Sequence, residues 1–203
     1  EVFSSSKFIN QNQLQNFNPE CKKFIDLIRG ELNSKQVLEN VNKIKNKKVL
    51  IIGETIIDNY ITTESIGKSG KEPVMVVKQK KQIKFLGGVG YIANLCSSFV
   101  KETKIISFLG EKNEEKKFIL KNLDKRIKYN FLTKKKSPTI IKTRYLDDYR
   151  KSKLLGVYDL NDDTLSKQEE KNFLNIIKTN IKKYDIIIVA DYGHGIITKE
   201  IRK

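Results

Sequence analysis

The chain has 203 residues, with 40 Lys and Arg against 24 Asp and Glu, a formal charge of +16 and a mean hydropathy of −0.47. That length supports one domain with a sizeable core, and two isolated cysteines, Cys21 and Cys96, argue against a disulfide framework or a zinc site. No stretch approaches the roughly 18 apolar residues of a membrane span, and the start carries no signal-peptide pattern, so a reducing cytoplasm and no membrane partner are expected. The positive charge attracts phosphates of any kind. Its densest runs, Lys78-Gln79-Lys80-Lys81 and Lys134-Lys135-Lys136, have no interleaved aromatics and no helix-turn-helix spacing. Lysines spread over solvated faces explain them better than a nucleic-acid partner, which is not expected.

Residues 1–20 are polar and rich in Ser, Asn and Gln, and read as a tail or linker, or as the end of a preceding domain. From Cys21 to Asn46, apolar residues recur at helical spacing, so 21–47 is expected to be a helical linker broken at Gly30 and at Asn33-Ser34. From Lys48 onward strands and helices alternate. Lys48–Ile52 is a buried-type strand that stops at Gly53-Glu54, and Ile56–Ile61 continues it past a bend. Val74–Val77 and Gln82–Leu86 are extended, and Leu86-Gly87-Gly88-Val89-Gly90 opens into a helix over Tyr91–Lys101. A strand at Thr103–Leu109 and a helix at Glu114–Leu123 follow. Three strands come next (Ile127–Phe131, Thr139–Leu146, Lys153–Leu160), then a helix over Leu165–Tyr184. A wholly apolar strand, Asp185–Ala190, ends at Asp191-Tyr192-Gly193-His194-Gly195.

This alternation predicts an α/β fold with a parallel, doubly wound sheet. The strands at 74–86 and 139–160 fall outside the alternation and are expected to form a small separate sheet, a lid. Ligand sites in such folds lie beyond the carboxyl ends of the strands. Asp58, the Gly87-Gly88 turn and Asp191 all fall there. Carboxylates at such places accept hydrogen bonds from hydroxyls, and glycines let a ligand approach the backbone. Asp147-Asp148 and Asp162-Asp163 read as solvated turn residues, and His194, the one histidine, as a loop residue.

Five segments in order carry a resemblance: Val-Leu-Ile-Ile-Gly-Glu-x-x-x-Asp-x-Tyr (49–60), Glu-Pro-Val-x-Val-Val (72–77), Gly-Gly-Val-Gly-Tyr-Ile-Ala (87–93), Ser-Pro-Thr-Ile-Ile-Lys-Thr-Arg (137–144) and Ala-Asp-Tyr-Gly-His-Gly (190–195). Together they resemble the ribokinase (PfkB) family of carbohydrate kinases, and within it the domain that phosphorylates D-glycero-D-manno-heptose 7-phosphate. The resemblance covers 48–203, which it implies is the N-terminal part of a ribokinase-like kinase domain. It implies Asp58 as a hydroxyl-binding carboxylate, Gly87 and Gly88 as the turn beneath the sugar, and Lys142 and Arg144 near a substrate phosphate. Asp191 would lie at the cleft floor. It further implies ATP and Mg2+ as cofactors, a sugar or sugar-phosphate substrate, and a homodimer through the lid strands.

The family's Gly-Ala-Gly-Asp motif, which carries the catalytic base, does not occur, so no catalytic residue is expected within 203 residues. Glu54 stands where the family usually has Asp, Tyr91 where it has Asn, and His194 where the heptose kinases commonly have Lys. A non-catalytic sugar-phosphate sensor or degenerate kinase therefore stays open beside the kinase. Phe3-Ser4-Ser5-Ser6-Lys7-Phe8-Ile9 resembles a motif near the end of cytidylyltransferase-type nucleotidyltransferases, which implies a bifunctional protein.

Overall fold

The computed structural model describes residues 19–31 and 33–203, so the serine-rich motif at 3–9 lies outside the described residues. These residues fall into two units, one ending at Ile44 and one running from Lys45 to Lys203. The first holds helices α1 (Pro19–Glu31) and α2 (Ser34–Ile44). Gly30 lies inside α1, so the helix break falls after Glu31 and not at the glycine.

The second unit contains two four-stranded sheets. The body sheet has the order β5-β4-β1-β8, with β1 at Lys48–Gly53, β4 at Glu102–Gly110, β5 at Lys128–Lys134 and β8 at Ile186–Ala190, and every pairing in it is parallel. Strand β1 shows why. Val49 and Ile51 point into one apolar cluster with Val89, Ala93, Ile105 and Ile119, while Leu50 and Ile52 point into another with Ile106, Phe108, Phe173 and Ile177. A strand buried on both faces needs helices on both. Helices α3 (Gly88–Ser97) and α4 (Lys116–Asn122) cover the first face, and α5 (Lys167–Ile181) covers the second. Each such Ile or Leu buried contributes roughly 1.5–3 kcal/mol. Ser166 and Glu169 close a reciprocal capping box that starts α5, and the Phe173 ring meets Phe108 edge-on at 4.9 Å. A four-residue helix, α6 (Lys199–Arg202), follows β8.

The second sheet is the expected lid, but larger. Its order is β3-β2-β6-β7, with β2 at Thr55–Lys68, β3 at Met75–Gly87, β6 at Ile140–Asp147 and β7 at Lys153–Asp159. The segment at 56–61 is the root of a 14-residue strand, and the two extended pieces at 74–77 and 82–86 are one strand. Strands β2 and β3 form an antiparallel hairpin, β2 runs parallel to β6, and β6 pairs antiparallel with β7. Side chains alternate across this sheet. Ile57, Asn59 and Ile61 are buried on one face. There the Asn59 amide bridges three strands, accepting from Gln82 at 2.9 Å and donating to Thr143 at 3.1 Å. Asp58 and Tyr60 face the other way. Only Glu54 separates the body strand β1 from the lid strand β2, and β3 runs straight into α3.

Candidate functional site

The body sheet changes direction at β1, with β4 and β5 on one side and β8 on the other. A crevice is expected beyond the strand ends at that point, and the lid roots there. A cleft of about 700 Å³ opens at the place, lined by Asp58, Tyr60, Phe85, Gly87, Gly88, Tyr91, Asn94, Lys142, Arg144 and Tyr192 among others. Five of the six residues picked out from the sequence therefore line one cavity, although 86 positions separate Asp58 from Arg144.

Strand register brings the charged ones together. Asp58 lies opposite Lys142, and Tyr60 opposite Arg144, on the parallel strands β2 and β6. The Arg144 guanidinium donates to Asp58 Oδ1, and its carbon sits 5.5 Å from the Tyr60 ring centre and 5.7 Å from that of Tyr158. Arg144 is thus held by a carboxylate and two aromatic rings, which preorganises a planar fork suited to an oxyanion. Lys142 differs. Its ammonium lies 5.9 Å from the Tyr158 ring and has no carboxylate partner among the described residues, while Lys84, also on the cleft wall, is tied to Glu115 at 2.6 Å. Among the described residues that line the cleft, Lys142 is the cation that a bound anion can claim without breaking an ion pair.

The glycine turn is built by close approach. Gly88 sits at φ +53°, and a Cβ there would collide with the Glu54 carbonyl oxygen and lie 3.1 Å from the Ile56 nitrogen. A Cβ on Gly87 would lie 2.5 Å from Asp58 Oδ2. The backbone of the turn is packed against the acid and the Glu54 carbonyl, which leaves room for glycine at both positions. Tyr91, one turn into α3, is 62 % exposed, and its hydroxyl has no hydrogen-bond partner among the described residues. Asn94, three residues further along α3, has its side-chain amide engaged within the protein. Its Nδ2 donates to the Asn122 carbonyl at 2.8 Å and its Oδ1 accepts from the Asp124 amide at 2.9 Å, so both ends are committed to the neighbouring loop.

Asp191 is outside the set of lining residues. It accepts from the Gly193 amide at 3.0 Å and from Arg202 at 2.8 Å, and its neighbour Tyr192 reaches the cleft instead. Beneath the loop lies a buried polar cluster. Glu54, 1 % exposed, accepts from the amides of Tyr192 at 2.9 Å and His194 at 3.3 Å. Burial pushes its carboxyl above the ordinary range, those amides pull the other way, and nearby Asp191 adds to the rise. Lys134, also buried, donates to the carbonyls of Asn161 at 2.6 Å and His194 at 3.2 Å, and burial holds its ammonium below its usual value. His194 Nδ1 shares a hydrogen bond of 2.7 Å with Asp162, so that acid is engaged and not simply solvated. Sequence reasoning missed Lys134 because it stands in a run of three lysines. Tyr60 and Phe85 carried a usable signal, since they flank Asp58 on the same face at strand spacing and strand register.

A parallel sheet with helices on both faces and a lid sheet rooted at its strand ends is the ribokinase-like fold. Phosphofructokinase-2 from Escherichia coli, solved in complex with fructose-6-phosphate, shares it with a TM-score of 0.50 over 72 % of this chain and 45 % of that one, at 12 % identity. A Thermotoga maritima protein described as a "possible 1-phosphofructokinase" gives 0.50 over 70 % and 44 %, at 18 % identity. In sequence, the chain is similar to proteins named bifunctional protein HldE. The Aliarcobacter butzleri protein of that name is 30 % identical over 161 residues, which is 77 % of this chain and 33 % of that protein. The Helicobacter pylori one is 31 % identical over 159 residues, again 33 % of its length. The chain thus spans about a third of the length of the curated relatives it matches. No family profile matches the sequence.

Proposed function

We propose that this chain is the acceptor-binding part of an ATP-dependent carbohydrate kinase acting on a sugar phosphate of the heptose 7-phosphate kind. The observation that carries the reading is Lys142, a cation with no carboxylate partner among the described residues, beside the anchored Arg144 fork in a cleft that also offers Asp58 and the glycine turn. Asp58 gives one oxygen to Arg144 and keeps the other for a sugar hydroxyl, while Lys142 and Arg144 take the phosphate already on the sugar. Tyr60, Phe85, Tyr91 and Tyr192 supply apolar faces for the sugar ring. In that reading the chain binds and orients the acceptor and the lid keeps water from it.

ATP and Mg2+ belong to the reaction in such kinases, where the metal neutralises phosphate charge. Among the described residues no group of three or more His, Cys, Asp and Glu could hold a metal ion, and Mg2+ in such kinases is held largely by phosphate oxygens with one or two carboxylates. The lid also presents Leu155, Val157 and Tyr158 exposed on β7, which supports a homodimer formed through lid strands. The serine-rich segment at 3–9 and the word "bifunctional" in the relatives' name support an attached nucleotidyltransferase domain.

The second reading is a sugar-phosphate sensor, favoured by Tyr91 where the resembling kinases have Asn and by a buried His194 where they have Lys. A phosphoryl-transfer assay with ATP, Mg2+ and D-glycero-D-manno-heptose 7-phosphate separates the two. Turnover by the full natural protein that contains this chain, with none by residues 1–203 alone, is expected. Absence of turnover in the full protein, with sugar phosphate still bound, would establish the sensor.

A further inference from the structure

We propose that Glu54 is a positioning residue that sets the distance between the two walls of the cleft, the glycine turn at the start of α3 and the loop 191–195. Four hydrogen bonds meet at this one residue. Its carbonyl accepts from the Val89 amide at 2.9 Å, which fixes the first turn of α3 and with it Gly87 and Gly88. Its own amide donates to the Ala190 carbonyl at 3.4 Å, at the end of β8. Its two carboxylate oxygens then take separate amides of the following loop, Tyr192 on Oε2 and His194 on Oε1. The carbonyl therefore grips the glycine-turn wall while the amide and the carboxylate grip the end of β8 and the loop after it, and Tyr192, held this way, lines the cleft.

The surroundings support the grip. Ser107, fully buried on β4, donates to the Gly53 carbonyl at 2.6 Å and shares a 2.8 Å hydrogen bond with Thr55, so both neighbours of Glu54 are pinned. Lys134 holds the carbonyl of His194 while Glu54 holds its amide, so the two poles of that residue face opposite charges. A buried carboxylate with two amide donors is tolerated because each oxygen is satisfied. The length of the side chain matters here, because each oxygen reaches an amide two residues from the other. Glu54 itself is not among the residues that line the cleft; it acts through Tyr192 and the glycine turn.

The test uses residues 1–203 with Glu54→Gln and Glu54→Ala. Gln has the same shape but a single acceptor oxygen, so at least one of the two amides loses its partner. Hydrogen exchange read by mass spectrometry over 190–197, 87–97 and β4 is combined with calorimetric titration of D-glycero-D-manno-heptose 7-phosphate. Exchange at Tyr192 or His194 should speed up at least tenfold with β4 unchanged, and the sugar phosphate should bind at least tenfold more weakly. Unaltered exchange at both amides in Glu54→Gln would overturn the proposal. So would acceleration spread equally through β4, which would make Glu54 a general stabiliser. If Glu54→Ala does not fold, the Gln variant decides alone. If the wild-type chain does not bind the sugar phosphate, the kinase reading on which the affinity arm rests fails, while the exchange arm still decides for or against Glu54.

Discussion

Replacing Gly88 by Ala separates close packing at the site from mere turn geometry, with Gly193→Ala as its comparison. Both glycines adopt positive φ, +53° and +81°, where an L side chain costs roughly 1–2 kcal/mol. Around Gly193 a Cβ would meet nothing within 4 Å, so the conformational cost is all that its substitution carries. At Gly88 the same methyl runs into the Glu54 carbonyl, the acceptor of the Val89 amide. Moving that carbonyl weakens a hydrogen bond of about 1 kcal/mol, and Val89 is fully buried, so the shift also strains packing by roughly 1–3 kcal/mol. The expected losses are about 1–2 kcal/mol for Gly193→Ala and about 3–6 kcal/mol for Gly88→Ala. Urea denaturation of the two variants and the wild type, followed by circular dichroism, gives both values from the midpoint shifts. Equal losses within about 0.5 kcal/mol would refute the claim that the turn is packed against Glu54.

Three more outcomes follow from the cleft. Lys142→Met removes the cation without a carboxylate partner and should weaken sugar-phosphate binding by roughly tenfold, the low end for a charge-assisted hydrogen bond at a partly exposed group. Calorimetry should show that effect for the phosphorylated sugar and not for its unphosphorylated form. Arg144→Lys gives up the planar fork and the contacts with Tyr60 and Tyr158, so binding should fall by about tenfold and stability by about 1 kcal/mol; a silent substitution would show that Arg144 is only a surface strand residue. The last concerns pH. Because burial raises the Glu54 carboxyl in the folded chain, the folded state keeps a proton that the unfolded state has already released, once the pH exceeds the ordinary value of 4.5. That contribution is full below the unfolded value and is lost as pH rises through the folded one, so stability should decline across that window. Glu54→Gln should flatten that slope in urea titrations at successive pH values, and an unchanged slope would assign it to another group.

The body of the fold was legible where physics leaves a pattern in a single strand or helix. Val49–Ile52 is apolar without alternation because both of its faces are buried, and α5 shows its stripe because only one of its faces is. The lid was legible only in part. Beyond Ile61, β2 runs through Thr, Glu and Ser with irregular register at Thr62/Thr63 and Ser65/Gly67, so no period survives. The middle of β3 is Lys78-Gln79-Lys80-Lys81, and β3 is an edge strand, where lysines are common because they discourage further pairing. Gly30 suggested a break that does not occur, since one glycine costs an exposed helix only about 1 kcal/mol.

The site divides in the same way. The Gly87-Gly88 turn could be placed from the strand end and helix start on either side of it. Asp58 could be placed from the end of β1 five residues earlier, although it lies within β2 and not beyond a strand end. That Asp58 pairs with Arg144 depends on β2 lying beside β6 in one register, which no local pattern encodes. Likewise, nothing in the sequence tells Lys134 from Lys135 and Lys136. Burial of the first follows from its place at the end of β5, facing the loop that it holds.

The most direct test of the central claim, that the cleft between lid and body is a site for an anionic sugar, is a calorimetric titration of the chain at low salt. D-glycero-D-manno-heptose 7-phosphate and D-glycero-D-manno-heptose would be compared under the same conditions. The phosphorylated sugar should bind at least tenfold more tightly, and added salt should shrink the difference as the exposed charges are screened. Equal affinities for the two sugars, or no binding of either, would contradict the account.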